Sequence, residues 1–179
     1  ITGGLHLDGA MDTADGLAVF DPQRRLTVMQ DSVTGAFGAM TAGIILLLKV
    51  AALSELSHSW GLLYALGWGR WGQVMAIALY PYLKPQGKGA FHKQNLRCPQ
   101  DILLGLVCLL TVAGLHFGFN PTQWQLPVLA SLIGCFLSLS LGFWFYRRLG
   151  GHTGDTYGAV VEWTEALILS GLTLVMGNG

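Results

Sequence analysis

Charge is what this sequence has least of. Asp, Glu, Lys and Arg make up 11 % of its 179 residues, against roughly 25 % in a soluble domain, while 52 % is hydrophobic and the mean hydropathy is +0.50. That deficit argues against an ordinary soluble domain and for a protein built in lipid. Acidic and basic residues balance at 10 each with no long basic run, so no nucleic-acid partner is expected. Cysteine is sparse too: Cys98, Cys108 and Cys135 are odd in number and widely spaced, two of them inside apolar runs, which points away from a disulfide framework or a zinc site. No Walker pattern and no G-x-G-x-x-G fingerprint supports a nucleotide fold. No internal repeat stands out, so residues 1–179 read as one membrane-embedded catalytic domain. The chain starts at Ile1, close to its densest polar motif and without a signal-peptide pattern ahead of it, and it is expected to lack an N-terminal transmembrane segment of a longer protein.

Long apolar runs are plentiful. A membrane span needs about 20 mostly apolar residues, and five stretches supply one: about 36–53, 59–83, 101–119, 126–146 and 157–176. The runs are continuous rather than alternating, which favours helices over a closed barrel, and the 25 glycines suit close helix packing in lipid. The expected fold is an all-α polytopic integral membrane bundle of about five transmembrane helices. Lys and Arg fall before the first span (Arg24, Arg25), after the second (Lys84, Lys88, Lys93, Arg97) and after the fourth (Arg147, Arg148). By the positive-inside rule, residues 1–35, 84–100 and 147–156 then share the cytoplasmic side of a bacterial or archaeal membrane.

Those three segments hold most of the unusual polar residues. In "GGLHLDGAMDTADG", Asp8, Asp12 and Asp15 lie within eight residues, and on a helix the i,i+4 and i,i+3 spacings put them on one face. Carboxylates crowded in this way repel one another unless a cation sits among them, and Mg²⁺ or Mn²⁺ takes carboxylate oxygens while bridging to substrate phosphates. The blander reading is an acidic helix turn that complements the macrodipole. His6 beside them is a candidate to hold a phosphate or orient a carboxylate. Arg24 and Arg25 offer planar donor forks for phosphate or serve as positive-inside anchors. Asp31 resembles a capped turn entering the first span, with a supporting or metal role as the sharper reading. In "GGHTGDTYGAVVEWTEA", Asp155, Glu162 and Glu165 share one side of a helix, and acids at membrane depth suggest function. Arg70 is either their structural partner or a phosphate ligand; Lys49 is expected to snorkel outward; His152 is read as a plain loop residue. The basic loop with Lys84 and Lys88 has the composition of a flexible phosphate-holding lid, and equally of any cytoplasmic loop. Together these residues suggest metal-assisted phosphoryl transfer at a membrane edge.

"GGLHLDGAMDTADG", "RRLTVMQDSVTGAFG", "YPYLKPQGKG" and "LGGHTGDTYGAVVEWTE" resemble, in this order and spacing and over essentially the whole chain, the cobalamin synthase family, also called adenosylcobinamide-GDP ribazoletransferase. The resemblance implies a Mg²⁺-dependent membrane enzyme that joins adenosylcobinamide-GDP to α-ribazole or its 5′-phosphate and releases GMP. It places the family's acidic motif on Asp8, Asp12 and Asp15 with His6 beside them, and its Thr-Gly-Asp segment on Thr153, Gly154 and Asp155 with Glu162 following. Asp8, Asp12 and His6 are then the catalytic candidates, with one of the aspartates or His6 as base. Asp8, Asp12, Asp15, Asp155 and Glu162 are the metal candidates; Arg24, Arg25, Asp31, Arg70, Lys84, Lys88 and Thr153 are the substrate-binding ones. The expected surroundings are the lipid bilayer, with a second copy or other late cobalamin-pathway enzymes as partners. Two alternatives stay open: a CDP-alcohol phosphotransferase-like enzyme, whose pattern has an Ala-Arg after the first Asp-Gly that is missing here, and a cation transporter using the membrane acids.

Overall fold

A computed structural model describes residues 3–31, 33–56, 59–84 and 87–176, and for Lys88 and Met176 the backbone alone. Among the described residues the chain forms α1 (Leu5–Ala18), α2 (Pro22–Val28), α3 (Ala36–Glu55), α4 (Trp60–Leu79), α5 (Lys88–Asn95), α6 (Gln100–Phe119), α7 (Gln125–Leu149) and α8 (Gly154–Met176). The expected spans match α3, α4, α6, α7 and α8 to within a few residues at each end. The second stops early, because Tyr80 precedes Pro81 and is pushed out of the helical region.

Burial runs opposite to hydropathy. The spans of α3 and α6 have mean hydropathies of 2.0 and 2.2 but only 17 % and 11 % of their residues buried, whereas α8, at 1.4, is 56 % buried. Leucine gains nothing by leaving a lipid tail for another leucine, so small and polar residues form the helix contacts and the greasiest faces turn outward. α8 is accordingly the hub, packed by α4, α1, α7 and α3. Among the described residues four helices, α3, α6, α7 and α8, are long and apolar enough to cross a membrane. α4 matches them in length but carries Arg70 and Gln73 and is buried between α8 and α7.

Two glycines set the α1–α8 contact. A Cβ on Gly9 would stand 2.6 Å from the carbonyl oxygen of Asp155, and one on Gly158 would stand 2.9 Å from the Cα of His6. Backbone therefore meets backbone at both points, and the two helices run antiparallel with their polar residues side by side.

At the basic end of the bundle the described parts of the loops are stitched together.

 Tyr82 forms a parallel β-bridge with His152, with Leu83 N donating to His152 O at 2.8 Å and His152 N donating to Pro81 O at 2.8 Å. Lys93, expected in a flexible basic lid, instead donates to the carbonyls of Ile77, Ala78 and Tyr80 and so caps the end of α4. Arg25 donates Nε to Val19 O at 3.1 Å and Nη1 to Arg148 O at 3.0 Å, latching the α1–α2 turn to the end of α7.

His152 is no plain loop residue. It is fully buried, with Nε2 3.0 Å from Gly142 O and Nδ1 3.0 Å from Thr156 Oγ1, and its ring stacks between Tyr80 and Tyr157. Burial lowers its pKa from 6.5 to about 4, although the Gly142 carbonyl pulls the other way. Between those values the unfolded chain binds a proton that the folded one does not. Stability from this group is therefore complete above pH 6.5 and is lost as pH falls toward 4, by about 3 kcal/mol in all. Thermal unfolding in detergent from pH 7.5 to 4.5 is expected to show this slope in the parent and a flatter one in His152→Gln.

Candidate active site

The sequence-predicted residues fall into two layers along the α1–α8 contact. The outer layer holds Asp8, Asp12 and Asp155. Gly9 brings α1 against the backbone of Asp155, so the Asp12 carboxyl feels the charge of Asp155 on the other helix as well as that of Asp8. Lys84 Nζ lies 3.0 Å from Asp155 Oδ2, carried in by the loop that Tyr82 and His152 pin down. Asp12 has its pKa raised to about 6, first by burial, then by the negative charge of Asp8 and Asp155, with Lys84 opposing. One lysine does not balance these acids, so the outer layer favours a further cation.

Thr153 begins α8. Its hydroxyl accepts from Thr156 N at 3.3 Å while Thr156 Oγ1 accepts from Thr153 N at 2.8 Å, a reciprocal cap of the kind that satisfies free helix-end donors. The Thr153 hydroxyl also donates to Asp155 Oδ2 at 3.2 Å, fixing the carboxylate that Lys84 touches. Asp15 is turned elsewhere: Oδ2 accepts from Gly35 N at 2.7 Å and Oδ1 from Gly38 N at 2.8 Å, so its charge caps the N-terminus of α3.

The inner layer lies deeper along α8. Lys49 Nζ is 2.6 Å from both Glu162 Oε2 and Glu165 Oε2. Arg70 Nη1 is 3.6 Å from Glu165 Oε1 and 3.0 Å from Nδ1 of His6. His6 has its pKa lowered, mainly by burial and next by the charge of Arg70. Lys49 thus points inward to α8 rather than snorkelling outward. At about 1.5 Å per residue it stands roughly 20 Å along α3, and Glu165 roughly 17 Å along α8; the depths match, which is the sequence signal that could have paired them.

The remaining candidates are spread out. Arg24 is exposed on α2, Arg25 is spent on two carbonyls, and Asp31 accepts from Val33 N at 3.3 Å in a local turn. Ser32, read as part of that turn, lies outside the described residues, as do Pro85, Gln86 and the Lys88 side chain in the basic loop. Behind α1, on the face away from the acids, a cavity of about 640 Å³ is lined by Ala10, Thr13, Leu17, Trp144 and Trp163 among others.

Among the described residues, no three His, Cys, Asp or Glu side chains stand close enough together to hold a metal ion. The donor chemistry nevertheless fits Mg²⁺, which is commonly held by one or two carboxylates, several waters and substrate phosphates rather than by a closed protein cage. Asp8 and Asp12 are the residues that would hold it, and Asp155 would join them only if Lys84 moved aside.

The sequence that brings the first and last helices together in this way has relatives among known proteins. The model of the cobalamin-5-phosphate synthase family matches residues 1–173. The chain belongs to that family. Similar synthase-family relatives include the adenosylcobinamide-GDP ribazoletransferases of Trichormus variabilis, 59 % identical over 98 % of this chain and 70 % of its own length, of Synechocystis sp., 53 % identical over 98 % and 69 %, and of Brevibacillus brevis, 38 % identical over 94 % and 68 %. No solved structure matches. Family membership decides against the transporter and the CDP-alcohol phosphotransferase, and the inner layer agrees with it: Glu162 and Glu165 are neutralised by Lys49 and Arg70.

Proposed function

We propose that this chain acts as an adenosylcobinamide-GDP ribazoletransferase, with Mg²⁺ bound at the outer carboxylate layer and the site facing the cytoplasm. The observation that carries the placement is the backbone contact of Gly9 with Asp155, which joins the acids of α1 to those of α8 beside Lys84. In the transfer, a hydroxyl oxygen of α-ribazole or its 5′-phosphate forms a new bond to the phosphorus that bears the cobinamide arm. The bond from that phosphorus to the GMP oxygen breaks, GMP leaves with the electron pair, and the hydroxyl proton passes to a carboxylate.

The chain's own residues supply orientation and charge. Lys84 is positioned to touch a phosphate oxygen once substrate competes for it with Asp155. Asp8 and Asp12 serve as metal ligands, as proton acceptor, or share both roles between them. Mg²⁺ held by Asp8 and Asp12 would supply positive charge for the phosphate oxygens. The basic residues of the three loops on one side of the spans support a cytoplasmic site.

The test uses the full-length protein in liposomes with adenosylcobinamide-GDP, α-ribazole and Mg²⁺, quantifying products by mass spectrometry. Cobalamin and GMP are expected in equal amounts and only without chelator. Asp12→Asn, which keeps the shape and removes the charge, is expected to lower kcat at least about 100-fold. Absence of product from folded, metal-replete parent protein would overturn the assignment, and full activity in chelator would remove Mg²⁺ from it.

A further inference from the structure

The inner layer ends on an imidazole whose state the geometry assigns. Arg70 Nη1 lies 3.0 Å from His6 Nδ1. A guanidinium has donors only and stays charged, so Nδ1 accepts and carries no proton. The ring proton of His6 is then on Nε2. The ring's backbone is held as well, because α8 meets the Cα of His6 at Gly158.

Arg70 has an ion-pair partner behind it, beyond hydrogen-bonding distance. Its Nη1 is 3.6 Å from Glu165 Oε1, and the other oxygen of that carboxylate takes Lys49 Nζ, which also holds Glu162. Glu162, Lys49, Glu165 and Arg70 form a chain of alternating charge that sums to zero and ends at the imidazole. Such a chain suits a low-dielectric setting, where an unbalanced charge is costly.

We propose that Lys49, Glu165 and Arg70 are positioning residues that fix His6 as the neutral Nε2–H tautomer, so that His6 meets the substrate as a hydrogen-bond donor and not as the base. The inference rests on reading the α1–α8 face as the active site. A donor there stabilises a phosphoryl oxygen as its charge grows, and the proton of the attacking hydroxyl is left to Asp8 or Asp12. Lys49 reaches the reaction only through the carboxylates it holds.

Solid-state NMR of the full-length protein in lipid, with ¹⁵N-labelled histidine rings, reads the tautomer directly. The His6 signals are assigned by their loss in His6→Gln. An unprotonated Nδ1 and a protonated Nε2 are expected in the parent, a mixture of tautomers in Arg70→Met, and the parent pattern again in Arg70→Lys, which restores a donor. An Nδ1–H or imidazolium signal from His6 in the parent overturns the proposal. In the transfer assay, His6→Gln keeps an N–H near the place of Nε2 and is expected to stay within about tenfold of the parent, while His6→Ala loses about 100-fold. Equal losses in the two variants overturn the donor role. The NMR reading needs no substrate and so tests the tautomer even where the parent shows no transfer, a result that would count against the reaction alone.

Discussion

Gly9→Ala is expected to lower transfer by about 100-fold or more while the protein still inserts in the membrane. The added Cβ meets the carbonyl oxygen of Asp155 at 2.6 Å and its Cα at 2.9 Å. Both are backbone atoms of α8, which α4, α7 and α3 also grip, so α1 has to give way. Moving α1 carries Asp8 and Asp12 away from Asp155 and Lys84, and a misplacement of about 1 Å among reacting groups can cost about 100-fold. Gly114→Ala is the matched control: it makes the same chemical change inside a helix, with no atom within 4 Å of the new Cβ. Helix propensity favours alanine at both sites by up to about 1 kcal/mol. Loss of kcat in Gly9→Ala with parent-like activity in Gly114→Ala isolates the helix contact. Parent-like activity in both would mean that the α1–α8 approach does not set the site.

Much of the bundle was legible before any coordinates, because lipid imposes a length and a hydropathy on each span that read directly from residues 36–53, 101–119 and 126–146. The clustering of Asp8 and Asp12 on one helix face was equally legible, being a matter of spacing alone. What stayed hidden were partners without a chemical signature. Arg25 and Lys93 end on carbonyl oxygens, which every residue carries, so neither differs in sequence from a phosphate ligand. Asp15 shares its face with Asp8 and Asp12 yet caps α3 from across a turn; only the path of the chain through residues 19–35 separates it from them. His152 looked idle because its acceptor, Gly142 O, lies on α7. Lys49 was misplaced for a different reason. Its depth was judged from α3 alone, whereas two acids three residues apart on α8 already required a cation at their own depth.

That requirement gives the second large effect. Lys49→Met is expected to destabilise the protein by about 3 to 5 kcal/mol, the usual consequence of removing one partner from a buried ion pair. The side chains concerned are 18 %, 13 % and 7 % exposed for Lys49, Glu162 and Glu165, so little water is on hand to replace the ammonium. With Lys49 gone, Arg70 alone faces two carboxylates, and one of them has to take up a proton or leave its place. The double variant Lys49→Met with Glu162→Gln restores charge balance, one arginine against one glutamate. It is expected to recover a substantial part of the lost stability, which thermal unfolding of the detergent-solubilised parent, both single variants and the double variant measures as a coupling energy. Additive losses would show that Lys49 contributes through its packing, and that the two glutamates do not depend on its charge. Recovery of stability without recovery of kcat is the more telling expectation. It would separate the charge balance of the inner layer, which any neutral arrangement satisfies, from the particular chain through Glu165 and Arg70 that holds the imidazole of His6.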